Sequence, residues 1–249
     1  MATASATGSN GAAMRKAGDW ARRAPLLPAL VFVIAMTQLP FVATVVISFM
    51  NWNAYYPDER GFAGFDNYVS TFTDTNARSA VFVTIVLTTS VVLLSLLLGL
   101  GIALLLDRKF RGRSAVRTMM ITPFLIVPVA AALLWKHALY NPEYGLFNGI
   151  LTWILGEGAP QPDWISDNPL LAIIVAIVWQ WTPFMMLILL AGLQSRPLDV
   201  IEAARIDGAS AWQIFTHMTL PHLRQYIELA GLLGAIYVVQ NFDHVYTIT

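Results

Sequence analysis

An all-α integral membrane bundle of about five spans, with a cytoplasmic N-terminus, is the fold this sequence predicts. Three observations predict it. The chain is 57% hydrophobic and only 12% charged, whereas soluble domains carry about 25% charged residues. Five apolar stretches are each long enough to cross a bilayer as a helix. The basic residues sort to one side of those stretches, which orients them. Formal net charge is zero and no cysteine is present. That excludes a disulfide framework, a thiolate metal site and a cysteine nucleophile.

The elements follow in order. Residues 1–19 are rich in Ala, Ser, Gly, Thr and Asn without an apolar period, so residues 1–25 are expected to form a disordered cytoplasmic tail and 26–249 the transmembrane domain. Leu26 to Met50 is an uncharged run of 25 residues. It exceeds a signal-peptide core and ends in Phe49-Met50-Asn51-Trp52 rather than a small-residue cleavage site, so it reads as a retained span. At a rise of 1.5 Å per residue it covers roughly 37 Å, enough to cross with tilt.

Four further runs qualify, at about 80–106, 116–139, 169–193 and 226–248. Within the first of these, Ser95, Gly99 and Ala103 recur every four residues, a stripe that lets helices approach closely. Pro123, Pro128 and Pro183 are expected to kink or open their helices, with ordinary membrane-helix irregularity as the plainer reading. Tyr144-Gly145-Leu146-Phe147 through Trp153-Ile154-Leu155 reads as a helix lying at the interface. Trp135, Tyr140 and Trp164, near span ends, read as interfacial anchors.

Orientation rests on the cations. Arg15, Lys16, Arg22 and Arg23 precede the first run. Arg108, Lys109, Arg111, Arg113 and Arg117 fill the 107–117 link, and Arg196, Arg205 and Arg224 the 194–225 link. Only Arg60, Arg78 and Lys136 fall on the other side, beside most of the acids. The N-terminus and the 194–225 link are therefore expected in the cytoplasm, and five spans then put Thr249 outside.

The 194–225 link is an island of polar sequence, read as a hairpin of two short helices. Asp199 with Glu202 has the spacing of a capping box, for a helix running to about Ile206. Gly208 suits the left-handed residue that ends it. Ser210 with Gln213 repeats the capping spacing, for a second helix running towards Thr219 and stopping before Pro221. Ala203, Ala204 and Ala209 leave little bulk, so a partner could come close; a surface helix-turn-helix without a partner fits these residues equally.

Glu202-Ala203-Ala204, three residues, Gly208, nine residues, then Met218-Thr219-Leu220-Pro221 resembles the EAA motif of binding-protein-dependent ABC importer permeases. Met218 departs from it, standing where Ile is usual. The longer form through Asp207-Gly208-Ala209 resembles the carbohydrate-uptake subfamily, of the maltose and glycerol-phosphate type. The likeness extends from about residue 26 to residue 249 and includes Phe242-Asp243-His244-Val245-Tyr246. Trp179-Gln180-Trp181-Thr182-Pro183-Phe184-Met185-Met186, with Leu190-Ala191-Gly192-Leu193-Gln194, is similar to permeases of sorbitol/mannitol systems.

That resemblance implies a type I importer permease, multi-pass in a bacterial plasma (inner) membrane, with a sixth helix expected beyond the fifth run. It implies that Glu202, Ala203, Ala204, Asp207, Gly208 and Ala209 couple the chain to a dimer of cytoplasmic ATPase subunits, Glu202 making the polar contact and Gly208 setting the turn. It further implies a second, non-identical permease subunit and an extracytoplasmic solute-binding protein. No cofactor and no nucleic-acid partner is expected.

Polar groups near the bilayer midplane suggest a solute path. In the fourth run they are Trp179, Gln180, Trp181 and Thr182; in the fifth, Tyr237, Gln240, Asn241 and His244 share one helix face at i, i+3, i+4 and i+7. Neutral hydrogen-bonding groups beside aromatic faces suit a hydroxylated, uncharged solute. The same residues could instead bond between helices or anchor at the interface. His217 and His222 lie five apart with Pro221 between, which does not suit a metal, and no Walker A loop is present. ATP hydrolysis is accordingly expected in a separate subunit. An ion-coupled secondary carrier is the alternative, but the span interiors hold no Asp, Glu, Lys or Arg; Arg117, Lys136, Glu228 and Asp243 sit towards ends. A lipid-modifying membrane enzyme would need clustered acids or histidines, and the outer acids are scattered.

Overall fold

The computed structural model describes residues 24–52, 55–56 and 60–249. Of the expected tail, residues 1–23 lie outside that range. The chain divides into two compact units, one ending at Ser79 and one running from Ala80 to Thr249.

In the first unit a 3-10 turn, Ala24–Leu26, leads into α1 (Leu27–Ser48). Pro28 falls in the first turn, where a missing N–H costs nothing. No residue of α1 is buried. Strands β1 (Met50–Asn51) and β2 (Gly61–Phe62) form a small antiparallel ladder. Helix α2 (Asp66–Thr73) closes the end of α1, because the Asn67 amide donates to the carbonyls of Ser48 and Met50, both at 3.0 Å. The Ser48 carbonyl is one that a helix end leaves without an intrahelical donor.

Helix α3 (Thr75–Asp107) is the longest element. Its buried residues Leu87, Val91, Ser95, Gly99, Ala103 and Leu106 form one narrow seam. The small-residue stripe behaves as expected: a Cβ on Gly99 would stand 2.9 Å from both Met185 Cβ and Met186 N. Two backbones meet there, and only glycine fits.

The third apolar run is a bent pair rather than one span. Helix α4 (Arg113–Leu125) stops, and α5 (Pro128–Leu133) leaves at 96° before passing into a π turn, Leu134–Leu139. The cause is local. Proline disfavours a helical residue before it, so Val127 is extended at φ −58°, ψ 133°, and Pro128 starts the next helix.

Helix α6 (Leu146–Leu155) exposes Trp153, Ile154 and Leu155, consistent with an interfacial helix. Its buried Asn148 donates to the Pro142 and Pro162 carbonyls and accepts from Trp164 Nε1 at 2.7 Å, seating α7 (Trp164–Asp167). The anchor reading of Trp135 and Tyr140 is corrected here, since both are buried. The π turn swings Trp135 inward onto Tyr140, Phe147 and Trp179, and Tyr140 donates to the Ala172 carbonyl. Trp164, against Phe147, joins the same cluster.

Helix α8 (Pro169–Gln194) is the core, packed against α4 and, on another side, against the C-terminal helices. The local opening expected at Pro183 is absent, since α8 is continuous through it. After α9 (Leu198–Ile206) and α10 (Ala211–Ile214), a π turn, Phe215–Thr219, leads into α11 (Leu220–Val239) and then α12 (Asp243–Ile248).

Among the described residues, α1 with its leading turn, α3 and α8 are long and apolar enough to span a membrane, and the bent pair would make a fourth. The fifth run is divided at Gln240-Asn241-Phe242.

Candidate functional site

Two places gather the residues singled out by sequence. The first is the hairpin. Helix α9 ends as a Schellman motif: Gly208 stands at φ +88°, its N–H bonds the Arg205 carbonyl, and the Ala209 N–H bonds that of Ala204 at 3.0 Å. Helix α10 starts with a reciprocal capping box, Ser210 N–H to Gln213 Oε1 at 2.8 Å and Gln213 N–H to Ser210 Oγ at 3.3 Å. Two expectations fail. The Asp199–Glu202 box does not form, because Pro197 is the N-cap and Asp199 already lies inside the first turn. Nor does Pro221 stop the second helix. The π turn before it widens the ring so that Leu220 N–H reaches Phe215 O, and Pro221 sits in the first turn of α11.

The elbow so formed is open. Glu202, Ala203, Asp207 and Gly208 are exposed, Ala204 and Ala209 half-buried, while Ile206 and Trp212 stand 86% and 71% exposed. Its base is fixed. Arg196 donates to Asp107 Oδ2 at 2.5 Å, Thr219 Oγ1 at 2.9 Å and the Leu193 carbonyl at 2.8 Å. One guanidinium thereby ties the ends of α3 and α8 to the π turn.

The second place is a cavity of about 320 Å³ where the α4–α5 bend meets the break between α11 and α12. Gln180, Trp181, Tyr237, Gln240 and Asn241 all line it. Trp181 stacks on Tyr237 at 5.7 Å and meets Phe124 edge-on. Gln180 is 4% exposed and donates from Nε2 to the Ile126 carbonyl at 2.7 Å. Its Oε1 is buried without a partner. Gln240 donates to the Ile236 carbonyl and Asn241 accepts from His244 N–H; among the described residues, the Gln240 carbonyl oxygen and the Asn241 amide hydrogens have no partner. The wall thus offers donors, acceptors and two stacked rings.

Other expected path residues fall elsewhere. Trp179 turns away onto Trp135 and lines a separate apolar cavity with Thr182. His244 leaves the face of Tyr237, because the helix breaks between them, and is fully buried. Sequence reasoning missed Asp243, Phe124, Ile126 and Pro128 as lining residues. Pro128 was the available signal, since it forces the bend that exposes the Ile126 carbonyl. Among the described residues no cluster of His, Cys, Asp or Glu could hold a metal.

Residues 95–249 match the family described as binding-protein-dependent transport system inner membrane component. The chain is 36% identical to the probable ABC transporter permease protein y4oQ of Sinorhizobium fredii, over 90% of this chain and 72% of that protein. It is 36% identical to the trehalose/maltose transport system permease protein MalF of Thermococcus litoralis, over 90% and 75%. With the trehalose transport system permease protein SugA of Mycobacterium tuberculosis it shares 34%, over 89% and 70%. A chain in the crystal structure of a bacterial alginate ABC transporter, in complex with an alginate pentasaccharide-bound periplasmic protein, superposes with a TM-score of 0.72 at 23% identity. That match covers 92% of this chain and 80% of the other and shows a shared fold.

Proposed function

Because this chain belongs to the family of binding-protein-dependent transport system inner membrane components, we propose that it is one permease subunit of an ATP-driven importer of a sugar or polyol. It is a multi-pass helical protein of the inner membrane, and the relatives compared are permease subunits rather than enzymes. In this reading the N-terminus and the hairpin face the cytoplasm, where an ATPase dimer grips the elbow. A binding protein delivers solute from outside, and a second permease subunit completes the pathway.

The observation that carries the reading is the exposed, small-residue elbow Glu202–Ala209 on a fixed base. When the ATPases close on ATP, a rigid elbow transmits that movement through Arg196 to the ends of α3 and α8. The spans then rock as bodies between packed arrangements. Solute binds in the cavity at the bend, its ring or carbon chain against Trp181 and Tyr237. Its hydroxyls bond the side chains of Gln240 and Asn241. Asp243 is among the lining residues and, of the described residues, no Lys or Arg is, which disfavours acidic solutes. The sugar names of the relatives support a carbohydrate; the run from Trp179 to Met186 supports a polyol within that class.

Uptake of labelled sorbitol, mannitol, maltose and trehalose by cells carrying the whole system tests this. Glu202→Lys or Gly208→Asp is expected to abolish uptake at unchanged membrane abundance, and cysteines at 203 or 209 should crosslink to an ATPase subunit. Full transport by either variant would sink the coupling role.

A further inference from the structure

The second cavity, of about 750 Å³, is pinched between α3, α4 and α8. Its walls include Leu98, Ile102, Met119, Met120, Val178 and Met186. Nothing here suits a sugar: the Thr182 hydroxyl on its wall is already bonded to Val178, and Trp135 offers only a buried ring N–H. Leu98 and Met119 are exposed, so the cavity opens sideways. In a membrane protein that side meets acyl chains, not water.

Cations stand at one end. Met119 and Met120 follow directly on the first turns of α4, which carry Arg113 and Arg117 at i, i+4. Arg113 lies seven residues before Met120, two turns away on nearly the same face. Arg108, Lys109 and Arg111 precede them in the link. The only acid in that link, Asp107, is taken by Arg196. Arg113 and Arg117 make no hydrogen bond or ion pair with any described residue. Orientation by positive charge asks for cations in this link; it does not ask that they be unopposed one and two helical turns before Met120, a wall residue of an apolar cavity.

We infer that an anionic phospholipid of the inner leaflet seats its acyl chains between α3, α4 and α8, with its phosphate against Arg113 and Arg117. Basic sites flanking spanning helices on the cytoplasmic side hold such headgroups, and guanidinium is the side chain best matched to phosphate oxygens. The leaflet follows from the proposed topology; the site itself does not depend on transport. A helix of the second permease subunit is the competing occupant. With side chains such a helix is about 10–12 Å across, and it would leave the two arginines without an anion.

The test uses the full chain in neutral detergent, offered equal phosphatidylglycerol and phosphatidylcholine, with bound lipid counted by native mass spectrometry. Two cations near a lipid phosphate, at roughly fivefold each, predict a preference of about twenty-five-fold for phosphatidylglycerol. The double variant Arg113→Gln/Arg117→Gln should lose the preference and Arg113→Lys/Arg117→Lys keep most of it. Met119→Trp fills the cavity from an exposed position and should cut retention of both lipids about tenfold; Leu98→Trp repeats the test should the first variant not elute as a single species. Equal binding of the two lipids by the wild-type chain overturns the inference. So does unchanged retention in both filled variants, or a cysteine at 119 that crosslinks efficiently to the second permease subunit in membranes. Uptake is not read in any arm, so the transporter assignment stands or falls separately.

Discussion

The hairpin and the bend both interrupt helices, and they close the interruption in opposite ways. At the turn of the hairpin the freed backbone groups are met by near neighbours: the carbonyls of Ala204 and Arg205 by Ala209 and Gly208, and the start of α10 by Ser210 and Gln213. At the bend, the Ile126 carbonyl is met by Gln180, 54 residues along the chain. Locally closed breaks make a stiff part that can be pushed from outside. A break closed by one distant side chain makes a joint whose state depends on how two helices sit. The proposed roles follow that difference, with the elbow receiving force and the bend responding to it.

The largest effect that would break the comparison is expected at Gln180. In Gln180→Leu the Ile126 carbonyl loses its donor in water-poor surroundings, a cost of about 1–3 kcal/mol. Amide exchange over residues 124–130 should quicken by about tenfold or more, and uptake should fall with it. Gln180→Met sharpens the point, because a thioether keeps much of the length but has no hydrogen to donate. If either variant exchanges and transports like the wild-type chain, the joint is not held by this bond.

The same difference explains what could be read from sequence. Gly208, Ser210 and Gln213 announce their breaks because the partners lie within a few residues, and the spacing survives into three dimensions. Pro128 announces a bend but not its 96° angle, nor which group would meet the freed carbonyl. Treating the last run as one helix put Tyr237 and His244 on a single face; the break at Gln240-Asn241-Phe242, with no proline to mark it, sent His244 inward. The anchor reading of Trp135 failed because a π turn, which has no sequence period of its own, rotated the ring into the core. The small-residue stripe on α3 was legible because close approach leaves no alternative to glycine at position 99.

A smaller effect is expected at the first cap of α10. Ser210→Ala removes the oxygen that accepts from Gln213 N–H, which costs about 1 kcal/mol at a typical N-cap. Because Gln213 and Ser210 serve each other, Gln213→Ala should lose part of the same energy, and the double variant should cost less than the sum. Exchange at residues 211–214 reads this directly, with a rise of about fivefold for Ser210→Ala. Residues 124–130 should not change. A response there would mean that the hairpin and the bend are not separately closed.

The smallest effect falls at Asp199, and it separates a cap from a charge. A side chain that capped α9 would cost about 1 kcal/mol on truncation, as at Ser210. Asp199 instead lies past the N-cap Pro197 and accepts no capping bond, so only its negative charge near the helix N-terminus remains. An exposed charge in a first turn is worth about 0.3–1 kcal/mol and weakens with salt. Asp199→Asn should therefore lower protection of α9 slightly in dilute buffer and hardly at all in molar salt. Ser210→Ala should be indifferent to salt. A salt-independent loss at Asp199 equal to that at Ser210 would mean that the first helix of the hairpin is capped after all, and that its start lies one or two residues later than Leu198.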